Sequence, residues 1–149
     1  MTSLRLRAPV ADDAAAVARL AGQLGYAAGV ECMRERILRI TAQASQFVRL
    51  AEDEHGAVVA WIHAGELELL ESGPGCEIFG LVVDEAFRGH GAGRLLVTAA
   101  ERWAADRGMS RVTVRSNVTR DSSHPFYLRL GYERTKTQHV YRRTIRAEG

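Results

Sequence analysis

A chain of 149 residues is long enough to bury one continuous core without disulfides or metals, so a single domain spanning 1–149 is expected. Hydrophobic residues at 46% and charged residues at 26% exclude a disordered or fibrous chain. The net charge of +2 comes from 20 basic and 18 acidic residues mixed along the sequence, with no basic run dense enough to track a nucleic acid backbone.

Met1-Thr2-Ser3 leads straight into a strand pattern, and no apolar run approaches the roughly 20 residues of a membrane span. A cytoplasmic protein without a membrane partner is therefore expected. Cys32 and Cys76 have neither the paired spacing of a zinc site nor the density of a secreted scaffold, and both read as reduced core thiols.

Leu4, Leu6 and Ala8 alternate with Arg5 and Arg7 as a short strand closed by Pro9. A helix follows, capped by Asp12 or Asp13 and carrying Val17, Leu20, Ala21 and Leu24 on one face up to Gly25. Val30, Met33, Ile37 and Ile40 mark a second amphipathic helix. Phe47 to Glu52 and Ala57 to Leu70 are rich in β-formers and flank Asp53-Glu54-His55-Gly56, which predicts an antiparallel hairpin. A second turn is expected at Glu71 to Gly75. Cys76 to Asp84 then reads as a central strand buried on both faces, with Gly80 hinting at a bulge.

Leu95, Leu96, Ala99, Ala100 and Trp103 form a helical stripe ending at Gly108, and Arg111 to Ser116 alternates as a strand. Ser122 or Ser123 opens a short helix that Gly131 ends, and two more strands are expected near Tyr132 to Lys136 and His139 to Thr144. The order β-α-α-β-β-β-α-β-α-β-β predicts an α/β chain with helices on the faces of a mixed sheet.

Between the central strand and the next helix stands Arg88-Gly89-His90-Gly91-Ala92-Gly93. A nucleotide-triphosphate loop needs Gly-Lys-Ser/Thr where this chain has Gly93-Arg94-Leu95. A dinucleotide fingerprint needs different glycine spacing and a parallel βαβ unit, whereas here an antiparallel hairpin precedes the loop. What remains is a close backbone approach at the start of a helix, where exposed N–H groups attract anions, with Arg88 as a planar cation for phosphate oxygens.

With its apolar strand Leu81-Val82-Val83 ahead of R-x-x-G-x-G, the chain resembles the GNAT superfamily of N-acetyltransferases from about Cys76 to Tyr141. The resemblance implies acetyl-CoA as co-substrate, its pyrophosphate held by Arg88, Gly89, His90, Gly91, Ala92, Gly93 and Arg94. It also implies a strand that splays from its neighbour, so that backbone groups around Leu81, Val82 and Val83 pair with the pantetheine arm.

Acetyl transfer to an amine needs a base, a donor for the developing oxyanion and a proton for the departing thiolate. Phe126-Tyr127 with Gly131-Tyr132 is similar to the family's F-Y-x-x-x-G-F/Y signature, which implies Tyr127 as the acid. Asn117 matches the asparagine that often hydrogen-bonds the cofactor arm; on its own it is also an ordinary strand-closing turn residue.

Glu77 lies where some members carry the base. A carboxylate on a buried strand has its pKa raised, but an exposed glutamate at the start of the strand fits equally well. The five histidines have ordinary readings on strands, turns and loops, and no ligand spacing suggests a metal.

The expected activity is direct transfer from acetyl-CoA to a primary amine in a ternary complex, with a small-molecule amine favoured over a protein amine. A non-catalytic acyl-CoA-binding sensor is the alternative. Homodimers are common in the family, but no residue here specifies one.

Overall fold

The computed structural model describes residues 3–115 and 123–146. The chain divides into two compact units, Met1–Arg115 and Ser116–Gly149.

In the first unit, β1 (Arg5–Arg7), β2 (Gln46–Glu52), β3 (Val58–Leu69), β4 (Gly73–Val83) and β5 (Val112–Val114) form one sheet in chain order. The first four strands are antiparallel and β5 joins β4 in parallel. The parallel pairing is possible because α3 (Ala92–Asp106) supplies the crossover that two parallel strands require.

Two helices, α1 (Ala14–Gln23) and α2 (Val30–Thr41), cover one face. Val17, Leu20 and Ala21 of α1 and Met33 and Ile37 of α2 are buried with Leu50 and Val82 of the sheet. These are the i, i+3, i+4 positions of the sequence pattern, turned inward. Helix α3 packs on the opposite face, where Trp103 stacks on Phe47 at 5.3 Å and Leu96, Val97 and Ala100 are buried. A fully buried leucine or valine of this kind contributes about 1.5–3 kcal/mol, which makes the two faces the main source of stability.

Asp13 stands at the start of α1, but its carboxylate is turned back rather than capping the helix. It accepts the Val10 N–H at 2.7 Å and hydrogen bonds from both terminal nitrogens of the Arg7 guanidinium at 2.8 Å, tying β1 to the helix.

Three expectations are corrected. Cys32 is exposed, because it precedes Met33 by one helical step and so falls off the buried stripe; only Cys76 is a buried thiol. The turn before β4 is tighter than the sequence suggested, since Gly73, Pro74 and Gly75 already belong to the strand. The strands expected at 132–136 and 139–144 do not form among the described residues, and Val140 and Tyr141 are exposed. High β-propensity describes fitness for a half-buried pleated surface and does not create a strand by itself.

The second unit carries α4 (Ser123–Arg129), with Pro125 accommodated in its first turn. The Tyr132 N–H closes back onto the Tyr127 carbonyl at 3.0 Å, next to the turn at Gly131.

Candidate functional site

Strand β4 has two partners over part of its length and one over the rest. It pairs with β5 only from Cys76 to Ile78, while its ladder with β3 continues to Val83. On the β5 side, alternate backbone N–H and C=O groups from Phe79 to Val83 therefore have no strand partner among the described residues. Such a flank can accept an extended ligand as an added strand. The Asp84 N–H bonds the Val59 carbonyl of β3, so by alternation the backbone of Val82 also faces β3 and its side chain is buried in the α1/α2 core, while the open backbone groups here belong to Leu81 and Val83.

The point where the flank comes free is also a bulge. His63 opposes Gly80 and Ala64 opposes Ile78, so Phe79 is an extra residue on β4. Its ring covers Gly65 and lies tilted against His63 at 5.0 Å.

Beyond Val83 the chain is clamped to α1. Arg19 Nη1 donates to Asp84 at 3.0 Å, and Gln23 Oε1 accepts the Glu85 N–H at 3.0 Å. The Ala86 N–H, and after it the Arg19 guanidinium, hold the Asp84 carboxyl below the usual carboxylate range. A single turn at Glu85–Phe87 leads into Arg88, and Gly89 and Gly91 take φ of 85° and 82°, a left-handed conformation that side chains disfavour. His90 is fixed between them, its Nδ1 3.0 Å from the Phe87 carbonyl and its ring stacked on Phe87 at 4.5 Å.

Helix α3 starts at Ala92. Its first backbone bond runs from the Leu95 N–H to the Gly91 carbonyl, so the N–H groups of Ala92, Gly93 and Arg94 precede the ladder. Its first turn contains no acidic residue, and Arg88 and Arg94 are exposed cations on either side of the glycines. Ala92 and Gly93 are buried at the helix start. The loop thus joins two glycines of positive φ and two exposed arginines to the start of a helix.

On the α1/α2 face, a cavity of about 430 Å³ lies between the helix pair and the sheet, with Phe79 and Gly80 in its wall. Tyr26, Arg36, Trp61 and His63 also line it. Trp61 is held by its Nε1–H on the Val17 carbonyl at 3.2 Å, and its ring passes so near Gly80 that a β-carbon there would be 3.0 Å away. His63 Nε2 is 2.6 Å from Gln46 Oε1, and burial lowers the imidazole pKa. Sequence reasoning passed over these residues. The available signal was the i, i+2 pair Trp61 and His63 beside Gly80, which puts two large rings on one face next to a residue with no side chain.

Glu77 is neither isolated in the core nor exposed at a strand start. Its side chain is 12% exposed and accepts Arg115 Nε–H at 3.2 Å across the β4–β5 pair. It shares the α1/α2 face through its register with Gly65 but does not line the cavity.

In the second unit, the half-buried Tyr127 ring meets Tyr132 edge-on at 5.8 Å. Asn117 lies outside the described residues. Among the described residues, no group of three or more His, Cys, Asp or Glu side chains could hold a metal ion, and no helix is long and apolar enough to cross a membrane.

A mixed sheet with one parallel pair opening ahead of a glycine turn and a helix start defines an acyltransferase-like architecture. The model of the acetyltransferase (GNAT) family matches residues 15–132, and the chain belongs to that family.

Solved structures share the fold at low identity. Aminoglycoside antibiotic 6'-N-acetyltransferase AAC(6')-Ih from Acinetobacter baumannii is 17% identical with a TM-score of 0.83, over 96% of this chain and 99% of that one. Aminoglycoside N-acetyltransferase AAC(6')-Iy, solved with CoA, is 18% identical with a TM-score of 0.83 over 96% of each chain. Glucosamine-6-phosphate N-acetyltransferase from Arabidopsis thaliana is 21% identical with a TM-score of 0.82, over 94% of this chain and 98% of that one. No curated protein sequence matches significantly.

Proposed function

We propose that this chain is a single acetyltransferase domain that moves the acetyl group of acetyl-CoA to a primary amine of a small molecule. The observation that carries the proposal is the continuity of one surface: the β4 flank from Phe79 to Val83, which has no strand partner among the described residues, runs directly into the Arg88–Gly93 turn and the start of α3. Coenzyme A fits that surface in its chemistry. Its amide-containing arm matches the unpaired strand groups, and its pyrophosphate matches Arg88, Arg94 and the N–H groups from Gly89 to Arg94. Bound there, acetyl-CoA supplies an acyl group activated as a thioester.

The backbone of Leu81 to Val83 would align the arm, and a β4 N–H near Leu81 or Val83 would donate to the acyl oxygen as charge develops on it. Tyr127, identified through the F-Y-x-x-x-G-Y run, would give its hydroxyl proton to the departing sulfur. Glu77 would take the amine proton, directly or through water. Asn117 would hydrogen-bond the arm. The balance is one nitrogen–carbon bond formed, one carbon–sulfur bond broken, and one proton moved from amine to thiolate. A cavity of about 430 Å³ supports a small acceptor over a protein chain.

The test is binding of coenzyme A by calorimetry, together with release of free thiol from acetyl-CoA across a panel of amines. Binding and amine-dependent thiol release are expected. Absence of binding overturns the site, and binding without thiol release for any amine identifies a sensor instead.

A further inference from the structure

The cavity on the α1/α2 face is mostly apolar in its lining. Leu24, Tyr26, Met33, Ile37, Trp61 and Phe79 give it apolar and aromatic walls. Its polar side chains are few: Arg36 is its cation, His63 its imidazole, Thr41 and Tyr26 its hydroxyls, and among the described residues no aspartate or glutamate lines it. Arg36 is exposed on α2 and makes no ion pair among the described residues, so its guanidinium is available to a carboxylate. His63 stands across from Gly80, where the β4 flank comes free. With Gln46 Oε1 accepting from Nε2–H, its Nδ1 keeps a lone pair that can accept an amine N–H. At about 430 Å³ the cavity lies in the range of roughly 300–1,000 Å³ found for small-molecule sites.

We infer that the acceptor is a monoamine on an apolar, aromatic-sized body that also bears one carboxylate, with its nitrogen toward His63 and Gly80 and its carboxylate at Arg36. The inference rests on the acetyltransferase reading for the word acceptor, but the binding chemistry stands apart from it. A polyamine or an aminoglycoside would bring several ammonium groups against apolar walls and Arg36 with no carboxylate to receive them, and unpaired charge is costly in such surroundings. The aromatic walls suit one ring, which Trp61 and Phe79 can contact on its faces or edges.

The experiment uses Trp103→Phe, which leaves Trp61 as the only tryptophan, and follows its fluorescence as L-phenylalanine, phenethylamine or kanamycin is added in the presence of coenzyme A. L-phenylalanine is expected to bind saturably and about tenfold tighter than phenethylamine, with Arg36→Met reducing that ratio to about one while phenethylamine affinity is kept. Kanamycin is expected not to saturate. Equal affinity for L-phenylalanine and phenethylamine, or tighter binding of kanamycin, overturns the inference. Thiol release from acetyl-CoA is measured with the same compounds. Saturable L-phenylalanine binding with no thiol release from any amine overturns the acetyltransferase reading and leaves the cavity assignment standing. Thiol release with kanamycin but not L-phenylalanine overturns the cavity assignment alone.

Discussion

The ring of Phe79 lies over Gly65, where a β-carbon would stand 2.8 Å from Cε2. The bulge that projects Phe79 and the missing side chain at residue 65 are two halves of one fit. Gly65→Ala is expected to displace the ring and to destabilise the chain by about 1–3 kcal/mol, the usual cost of overpacking. Thermal denaturation of Gly65→Ala, Phe79→Ala and the double variant tests it: the double variant should be more stable than the sum of the two single losses allows. Additive losses would mean that the two residues do not share the space.

Gly91 has φ of 82°, yet a β-carbon there would meet nothing within 4 Å. Gly91→Ala thus changes backbone preference without a clash, at a cost of roughly 1–2 kcal/mol for a left-handed L-residue. If the loop instead relaxes to a negative φ, the N–H groups ahead of α3 are re-aimed. Coenzyme A affinity, measured by calorimetry, is expected to fall about tenfold or more while the helical circular dichroism is retained.

Removing the Tyr127 hydroxyl tests the proposed acid. Tyr127→Phe keeps the edge-on packing against Tyr132. Turnover should fall roughly 10²-fold with coenzyme A affinity nearly intact, since a group needed only for proton transfer acts on kcat rather than on binding. Unchanged turnover would remove the assignment.

Glu77 is read out by the pH profile. Glu77→Gln is expected to abolish the fall of kcat/KM toward low pH if the carboxylate takes the amine proton. A profile identical to the parent's would leave Glu77 as the partner of Arg115, whose removal should cost at most about 1 kcal/mol in a thermal melt because the arginine side is half exposed.

Burial lowers the His63 pKa from its ordinary 6.5. The unfolded chain therefore takes up this proton at a higher pH than the folded one. The contribution to stability is complete above 6.5 and is lost as pH falls from 6.5 through the lower folded value. Melting temperature should decline over that window, and His63→Gln, which keeps a polar group near Gln46, should flatten the decline. A slope unchanged by the substitution would assign it to other groups.

The periodicity of Val17, Leu20 and Ala21, and of Met33 and Ile37, carried the helix pair, because an amphipathic stripe and the core it faces are the same physical object. The turn at Arg88–Gly93 was legible for a similar reason: glycine marks backbone geometry directly, and Gly89 and Gly91 have the positive φ that only glycine adopts freely. The cavity was not legible. It is assembled from α1, α2, β2, β3 and β4, so the nearness of Arg36, His63 and Phe79 is a product of strand register and helix packing that no local window contains. Cys32 was misplaced because a thiol's preference for burial is weaker than its position on a helix.

The extra residue at Phe79 also sets a parity. Counting back from Val83 by strict alternation would aim Cys76 and Ile78 at α1 and α2, and Glu77 at α3. With one residue looped out, Cys76 and Ile78 are buried toward α3, and the carboxylate of Glu77 stays out of that packing. A chain shortened by Phe79 alone would keep every other β4 side chain on its present face, whereas one residue added between Glu77 and Ile78 would exchange the faces of Cys76 and Glu77. The length of this strand is thus a constraint on divergence in its own right, separate from the chemistry of any residue in it.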